Sequence, residues 1–248
     1  MDNYNLSKSW LQAMELEEFD LLNKKDKKSV KKQDFCKIIP AVIVKNLEST
    51  FVDHIEGLEE LKNALLNFEA CDLKFGASNT VFGEGNVKSK IMLIGEAPGA
   101  TEDEKGIPFC GESGKLLDNM LATINLFRTK NCYLTNTVFW RPPANRAPTQ
   151  EEIELCRPFV EKHIAIIEPK LLILVGSTAV TSLLGKHLQI SKIRQEYYQY
   201  SNKYLKEPIA TTAIFHPAYL LRQPSQKKTS WYDLLKIKDY VSSLGIEL

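Results

Sequence analysis

The 248 residues carry a net charge of +1, with 44% hydrophobic and 25% charged side chains; that balance describes an ordinary globular chain and excludes a disordered or strongly basic one. No run of about 18 apolar residues is present and the N-terminal stretch holds no apolar h-region, so neither a membrane span nor a secretory leader is expected. Five scattered cysteines (Cys36, Cys71, Cys110, Cys132, Cys156) without a C-x-x-C pair point to a reducing, cytoplasmic setting.

Residues 1–22 place Leu6, Trp10, Leu11, Met14, Phe19 and Leu22 in a helical pattern. Residues 23–34 are lysine-rich and almost free of apolar side chains, which reads as a solvated linker or as a basic arm touching phosphates. Residues 1–54 are therefore read as an extension, and 55–248 as the main domain. A helix is predicted within 45–68, with Leu58, Leu61, Leu65 and Leu66 on one face. A loop follows, containing F-G-E-G at 82–85.

The apolar run Ile91–Ile94 predicts a buried strand. It opens into a loop punctuated by Gly95, Pro98, Gly99, Gly106, Pro108, Gly111 and Gly114, which also carries Glu96, Glu102, Asp103 and Phe109. Leu116, Leu117, Met120, Leu121 and Ile124 then predict a helix over 113–126. Cys132–Asn136 reads as the next strand, followed by the proline loop R-P-P-A-N-R-A-P. Thr149 and Glu152 form a capping box that starts a helix reaching about 167, kinked or restarted at Pro158. Strand 171–175 turns through Gly176-Ser177-Thr178 into a short helix. Residues 188–207 alternate basic and aromatic side chains, strand 209–214 ends at F-H-P-A-Y-L-L-R, and an amphipathic helix spans 226–244.

Strands alternating with helices predict an α/β fold with a parallel sheet covered on both faces. In such sheets ligands bind where strands end. Four predicted strand ends carry polar groups: Glu96, Asn136, Ser177 with Thr178, and His216. The glycine loop matches neither phosphate-binding fingerprint, and its acids would repel phosphate. Asn136 is either a turn residue or a reader of a base edge, since its amide offers a donor beside an acceptor. His216 is either a structural residue at a helix start or a functional one. Tyr219, Leu220 and Leu221 beside Arg222 suit insertion into a DNA stack with phosphate anchoring, or ordinary helix packing. The cysteine spacing fits no zinc or iron–sulfur motif.

Several long motifs in order resemble the family 4 uracil-DNA glycosylases: G-E-A-P-G-x-x-E-D-x-x-G-x-P-F-x-G-x-x-G at 95–114, T-N at 135–136, R-P-P-x-N-R-x-P-T at 141–149, H-P-A-Y-L-L-R at 216–222 and the lead-in V-F-G-E-G at 81–85. The resemblance covers residues 55 to 245. It implies a monofunctional base-excision enzyme that hydrolyses the N-glycosidic bond of uracil in DNA. It also implies a three-layer sandwich, a four-stranded parallel sheet flanked by helices, acting as a monomer on single- or double-stranded DNA. Gly95, Ala97 and Gly99 would line the pocket, Phe109 would stack on the flipped base, Asn136 would read its polar edge and His216 would contact its 2-carbonyl. Glu96 or Glu102 would position water, or backbone groups would. Tyr219, Leu220, Leu221, Arg222 and Arg141 would contact DNA. The other readings are a glycosylase for another deaminated base such as hypoxanthine, and a non-catalytic DNA-binding descendant.

The family usually holds a 4Fe-4S cluster on four cysteines. Here the matching positions are Phe68, Cys71, Trp140 and Cys156. Two thiolates cannot hold a cubane that needs four ligands, and Cys110 and Cys132 sit in the wrong segments to replace the missing pair. No cofactor is expected; Phe68 and Trp140 are expected to fill the vacated volume.

Overall fold

The computed structural model describes residues 36–37, 51–185 and 188–248. The expected helix at 1–22, the basic run at 23–34 and the first part of the 45–68 helix lie outside the described residues.

Four parallel strands form the centre of the sheet: β3 (Ile91–Gly95), β4 (Tyr133–Asn136), β5 (Leu171–Val175) and β7 (Ile209–Ile214). They are the four strands expected from the sequence at 91–95, 132–136, 171–175 and 209–214. Three strands extend this centre: β1 (Cys36–Lys37), β2 (Glu84–Gly85) and β6 (Tyr197–Tyr200). The order is β1-β6-β7-β5-β3-β4-β2, with β6 antiparallel to β7 and β2 antiparallel to β4. The expected four-stranded sheet is thus the parallel core of a seven-stranded one.

The chain places α1 (Leu58–Leu66) and α2 (Leu73–Gly76) before β3, and α3 (Ala100–Lys105) and α4 (Glu112–Ala122) after it. α5 (Gln150–Ile167) precedes β5 and α6 (Ser177–Leu183) follows it. Then come α7 (Ile190–Ile193), α8 (Pro217–Arg222) and α9 (Lys227–Ser243). α5 is one continuous helix through Pro158, so no second segment begins there. The glycine loop contains α3, which the sequence reading did not include.

Strand alternation divides the core into two layers. Met92, Ile94, Leu172 and Leu174 face one side, with Leu61 and Leu65 of α1 and Phe159 and Ile164 of α5. Ile91, Leu93, Leu171 and Ile173 face the other, with Leu117 and Met120 of α4 and Leu234 and Ile237 of α9. Each such side chain contributes about 1.5–3 kcal/mol when fully buried.

Described residues ahead of the expected boundary at 54/55 also take part in the fold. Val52 is fully buried, and Cys36–Lys37 pairs with Tyr197–Tyr198 of β6. Among the described residues no helix is long and apolar enough to cross a membrane.

Candidate active site

The carboxyl ends of β3, β4, β5 and β7 open on one cavity of about 990 Å³. Its lining includes Glu96, Ala97, Gly99, Glu102, Phe109, Asn136, Ser177, His216, Tyr219 and Arg222. The cavity therefore gathers the polar strand ends singled out in the sequence.

Gly95, the last residue of β3, is required by close approach. A Cβ there would collide with both the Phe109 ring and Asn136 Oδ1. Its absence lets the ring and the amide share one corner. Asn136 is only 2% exposed, and among the described residues its amide makes no hydrogen bond. It is not among the buried atoms left without a partner, so the amide opens onto the cavity that it lines. It is an unspent donor and acceptor directed at whatever the cavity holds.

Phe109 lies across from His216, with ring centroids 6.2 Å apart. Its backbone has φ 52°, the left-handed region that costs a bulky residue about 1–3 kcal/mol and needs support from its surroundings. Gly114 supplies part of that support, because any Cβ there would strike the Phe109 carbonyl.

Glu102 supplies more. Its carboxylate accepts from the amides of Gly99 at 3.2 Å, Cys110 at 3.0 Å and Gly111 at 2.8 Å. Both oxygens are thereby committed to the loop, and the side chain is 8% exposed. Glu102 thus clamps the loop, and it also lines the cavity, where its Oε2 accepts only the Gly99 amide. Glu96 differs: Thr178 Oγ1, at the start of α6, donates to its Oε2, which leaves Oε1 to the cavity.

His216 caps α8, and its Nδ1 accepts the Ala218 amide at 3.1 Å. That bond places the proton of the neutral ring on Nε2. Burial pushes the His216 pKa below its usual value, against the pull of Glu96. The group facing the cavity is thus a neutral N–H donor. Gly176, at φ 97°, packs its bare α-carbon against this ring.

The expected DNA-contacting set divides. Leu221 is 38% exposed, but Leu220 is fully buried in the core beside α4 and α9, so Leu220 is removed from that set. One step along a helix rotates a side chain by about 100°, and only one of the pair can face out. Tyr219 packs its ring on Phe215 at 5.1 Å. Arg141 bonds Asn145 at 2.7 Å, and it is Asn145 and Arg146 that reach the cavity wall. Ser191, Arg194 and Gln226 also line it; the sequence reading singled out none of these as site residues.

Behind the β4 end, the four cluster-matching positions come together as a packed unit. Phe68 stacks on Trp140 at 6.5 Å and 15°, meets Phe159 edge-on at 5.0 Å and stacks on Phe51 at 5.4 Å. Trp140 is fully buried and donates to Thr80 Oγ1 at 2.9 Å; Phe68 is only partly buried. The Cys71 and Cys156 thiols are neighbours. The hydrogen bond to Cys156 pulls the Cys71 thiol down, while the same contact and burial push Cys156 up. Two thiols and two stacked rings do not fit a four-thiolate cluster, and no metal-binding group of three or more His, Cys, Asp or Glu occurs among the described residues.

Residues 82–236 match the family model of the uracil DNA glycosylase superfamily. The chain is 35% identical to the type-4 uracil-DNA glycosylase of Sulfurisphaera tokodaii over 75% of its own length and 85% of that protein. It is also 35% identical to the type-4 enzyme of Archaeoglobus fulgidus, over 74% of this chain and 92% of that one. The type-4 enzyme of Thermotoga maritima is 35% identical over 77% of this chain and 97% of its own.

Proposed function

The chain belongs to the type-4 family of the uracil-DNA glycosylase superfamily, and from that premise we propose that it hydrolyses the N-glycosidic bond of uracil in DNA. The observation that carries the proposal is the Asn136 amide, free of hydrogen bonds within the fold and open to the cavity, which also holds the Phe109 ring and the neutral His216 donor.

A base in a duplex must leave the stack to enter such a cavity, at a cost of a few kcal/mol. Leu221, with Tyr219 behind it, occupies the gap, and Arg222 and Arg146 meet phosphates at the margin. The flipped uracil lies against Phe109. Asn136 Oδ1 accepts from N3–H and its amino group donates to O4, a pattern that cytosine reverses. Each mispaired bond costs about 1–3 kcal/mol, which supplies the discrimination.

Cleavage moves the glycosidic electron pair onto the departing base. His216 Nε2–H donates to uracil O2, where the negative charge collects, as an oxyanion-hole donor does. Glu96 Oε1 holds the water whose oxygen joins C1′, and the water's proton leaves through that carboxylate. Glu96 also places negative charge beside the cationic sugar. The residue after Glu96 is Ala97, so no aspartate is available at that step.

No cluster is required by this reading: the Phe68–Trp140 stack takes its structural part. The catalytic unit acts as a cytoplasmic monomer.

The test is single-turnover excision from oligonucleotides carrying uracil, hypoxanthine, xanthine or thymine. Uracil should be released fastest. Asn136→Asp, which replaces the donor by a second acceptor, should slow uracil release by about 10²-fold. Binding without release would favour a non-catalytic DNA-binding protein, and faster hypoxanthine release would reassign the substrate. Undiminished release by Asn136→Asp would remove its base-reading role.

A further inference from the structure

The Phe109 turn is held from both sides by side chains of opposite charge. Its amides at Cys110 and Gly111 bond Glu102. Its carbonyls at Pro108 and Phe109 accept from Arg128 at 2.9 and 2.8 Å. Arg128 comes from the segment between α4 and β4 and does not line the cavity. Its remaining donors go to Asp118 of α4 at 3.1 and 2.8 Å and to Glu84 of β2 at 2.6 Å. All three guanidinium nitrogens are engaged, and the side chain is 14% exposed.

We infer that Arg128 is a positioning residue that fixes the Phe109 ring as the stacking wall of the base pocket. This rests on the proposed function only in that the ring stacks on a base. The physical ground is the left-handed backbone at Phe109. A bulky residue leaves that region when its anchors go, since ordinary φ values are lower in energy. Two consecutive carbonyls fixed by one rigid fork prevent the peptide from turning over. A lysine at this place is a point charge on a flexible stem and cannot bond both carbonyls, Glu84 and Asp118 together. The fork also links β2, α4 and the loop, so the lead-in strand and the pocket wall are set by one side chain.

The experiment compares the full-length wild type, Arg128→Lys, Phe109→Ala and the double variant in single-turnover uracil excision, with DNA affinity measured alongside. Arg128→Lys should slow excision by about 10²-fold, the scale of a misplaced wall, with DNA affinity nearly unchanged. In the Phe109→Ala background it should add no further loss. Equal losses in both backgrounds would overturn the inference, because a general stabilising role would act whether or not the ring is present. Asp118→Asn, which loosens the fork but keeps its charge, should give a smaller loss in the same direction and guards against failure of Arg128→Lys to fold. Amide hydrogen exchange supplies a readout independent of activity. Exchange at 107–111 should rise in Arg128→Lys while β3 and β5 stay protected. Unchanged loop exchange would overturn the inference even if excision itself were absent, whereas raised exchange in a protein that excises nothing would leave the positioning intact and refute only the proposed function.

Discussion

The cavity at the strand ends and the aromatic staple behind β4 are built from neighbouring segments under opposite demands. In the cavity, particular atoms matter. A Cβ at Gly95 would collide with Phe109 and Asn136, Phe109 holds φ 52°, and on the proposed function Asn136 must offer both a donor and an acceptor. In the staple, volume matters. Phe51, Phe68, Trp140 and Phe159 stack and cross at 5.0–6.5 Å. Phe68 and Trp140 stand where the family resemblance implies cluster ligands, and the four rings tie the segments flanking α1 and following β4 to α5 through apolar contact. The contrast teaches that a fastening built on burial tolerates many side chains while a site built on hydrogen bonds fixes particular atoms, because dispersion and burial are non-directional and hydrogen bonds are not.

The largest expected effect tests that separation. Trp140→Ala should cost roughly 3–5 kcal/mol of stability in urea unfolding, as for a fully buried large aromatic. Excision by the folded fraction should stay close to wild type. A rate loss matching the stability loss would show that the staple sets the pocket. Iron analysis of anaerobically purified protein sharpens the same point: stoichiometric iron would refute the reading that stacked rings replaced the cluster.

His216→Ala should do the reverse. Removing one preorganised donor to a developing anion slows chemistry by about 10²–10³-fold, with little change in melting temperature or DNA affinity. Equal losses in rate and affinity would argue against anion stabilisation. The pH profile follows from the ring's environment. Burial lowers the His216 pKa from its usual 6.5, so the neutral ring persists at neutral pH. The rate should hold from pH 8 down past 6.5 and fall only at more acid values, where protonation of Nδ1 breaks its bond with the Ala218 amide. A fall beginning above pH 6.5 would contradict the buried neutral donor.

The same contrast governs what could be read from the sequence. The parallel core was legible because I-M-L-I and L-L-I-L-V are short apolar runs bounded by turns, and Asn136 and His216 were legible because they stand at strand ends. The edge strands were not. β2 is two residues long and exists only through its pairing with β4, and β6 reads as an aromatic and basic stripe whose Tyr197 and Tyr200 prove to be buried. Arg128 was missed because its role lies in contacts 10, 19, 20 and 44 residues away. The clamp made by Glu102 was missed because an acid beside a pocket carries no sign of which amides it will accept. Leu220 and Leu221 were inseparable because two adjacent leucines in a six-residue helix show no helical phase.

His163 gives the smallest effect and a way to titrate the staple side alone. It is fully buried on α5, stacks on Phe82 at 4.4 Å and shares a hydrogen bond with the Tyr133 hydroxyl at 3.0 Å. Its Nδ1 has no partner among the described residues. Burial pushes its pKa from 6.5 to about 3. The folded state therefore binds fewer protons than the unfolded state between those values, and stability must fall as pH falls through that window. The slope from this one group is about 1.4 kcal/mol per pH unit well below 6.5, with no contribution above it. Urea unfolding from pH 7 to 5 should show wild type losing stability faster than His163→Gln, which keeps a polar group near Tyr133 but cannot titrate. Parallel curves would mean that His163 does not stay neutral in the fold. Because His163 lies away from the cavity, the excision rate of the folded protein should not follow this titration, and a rate that did would join the two regions that the structure keeps apart.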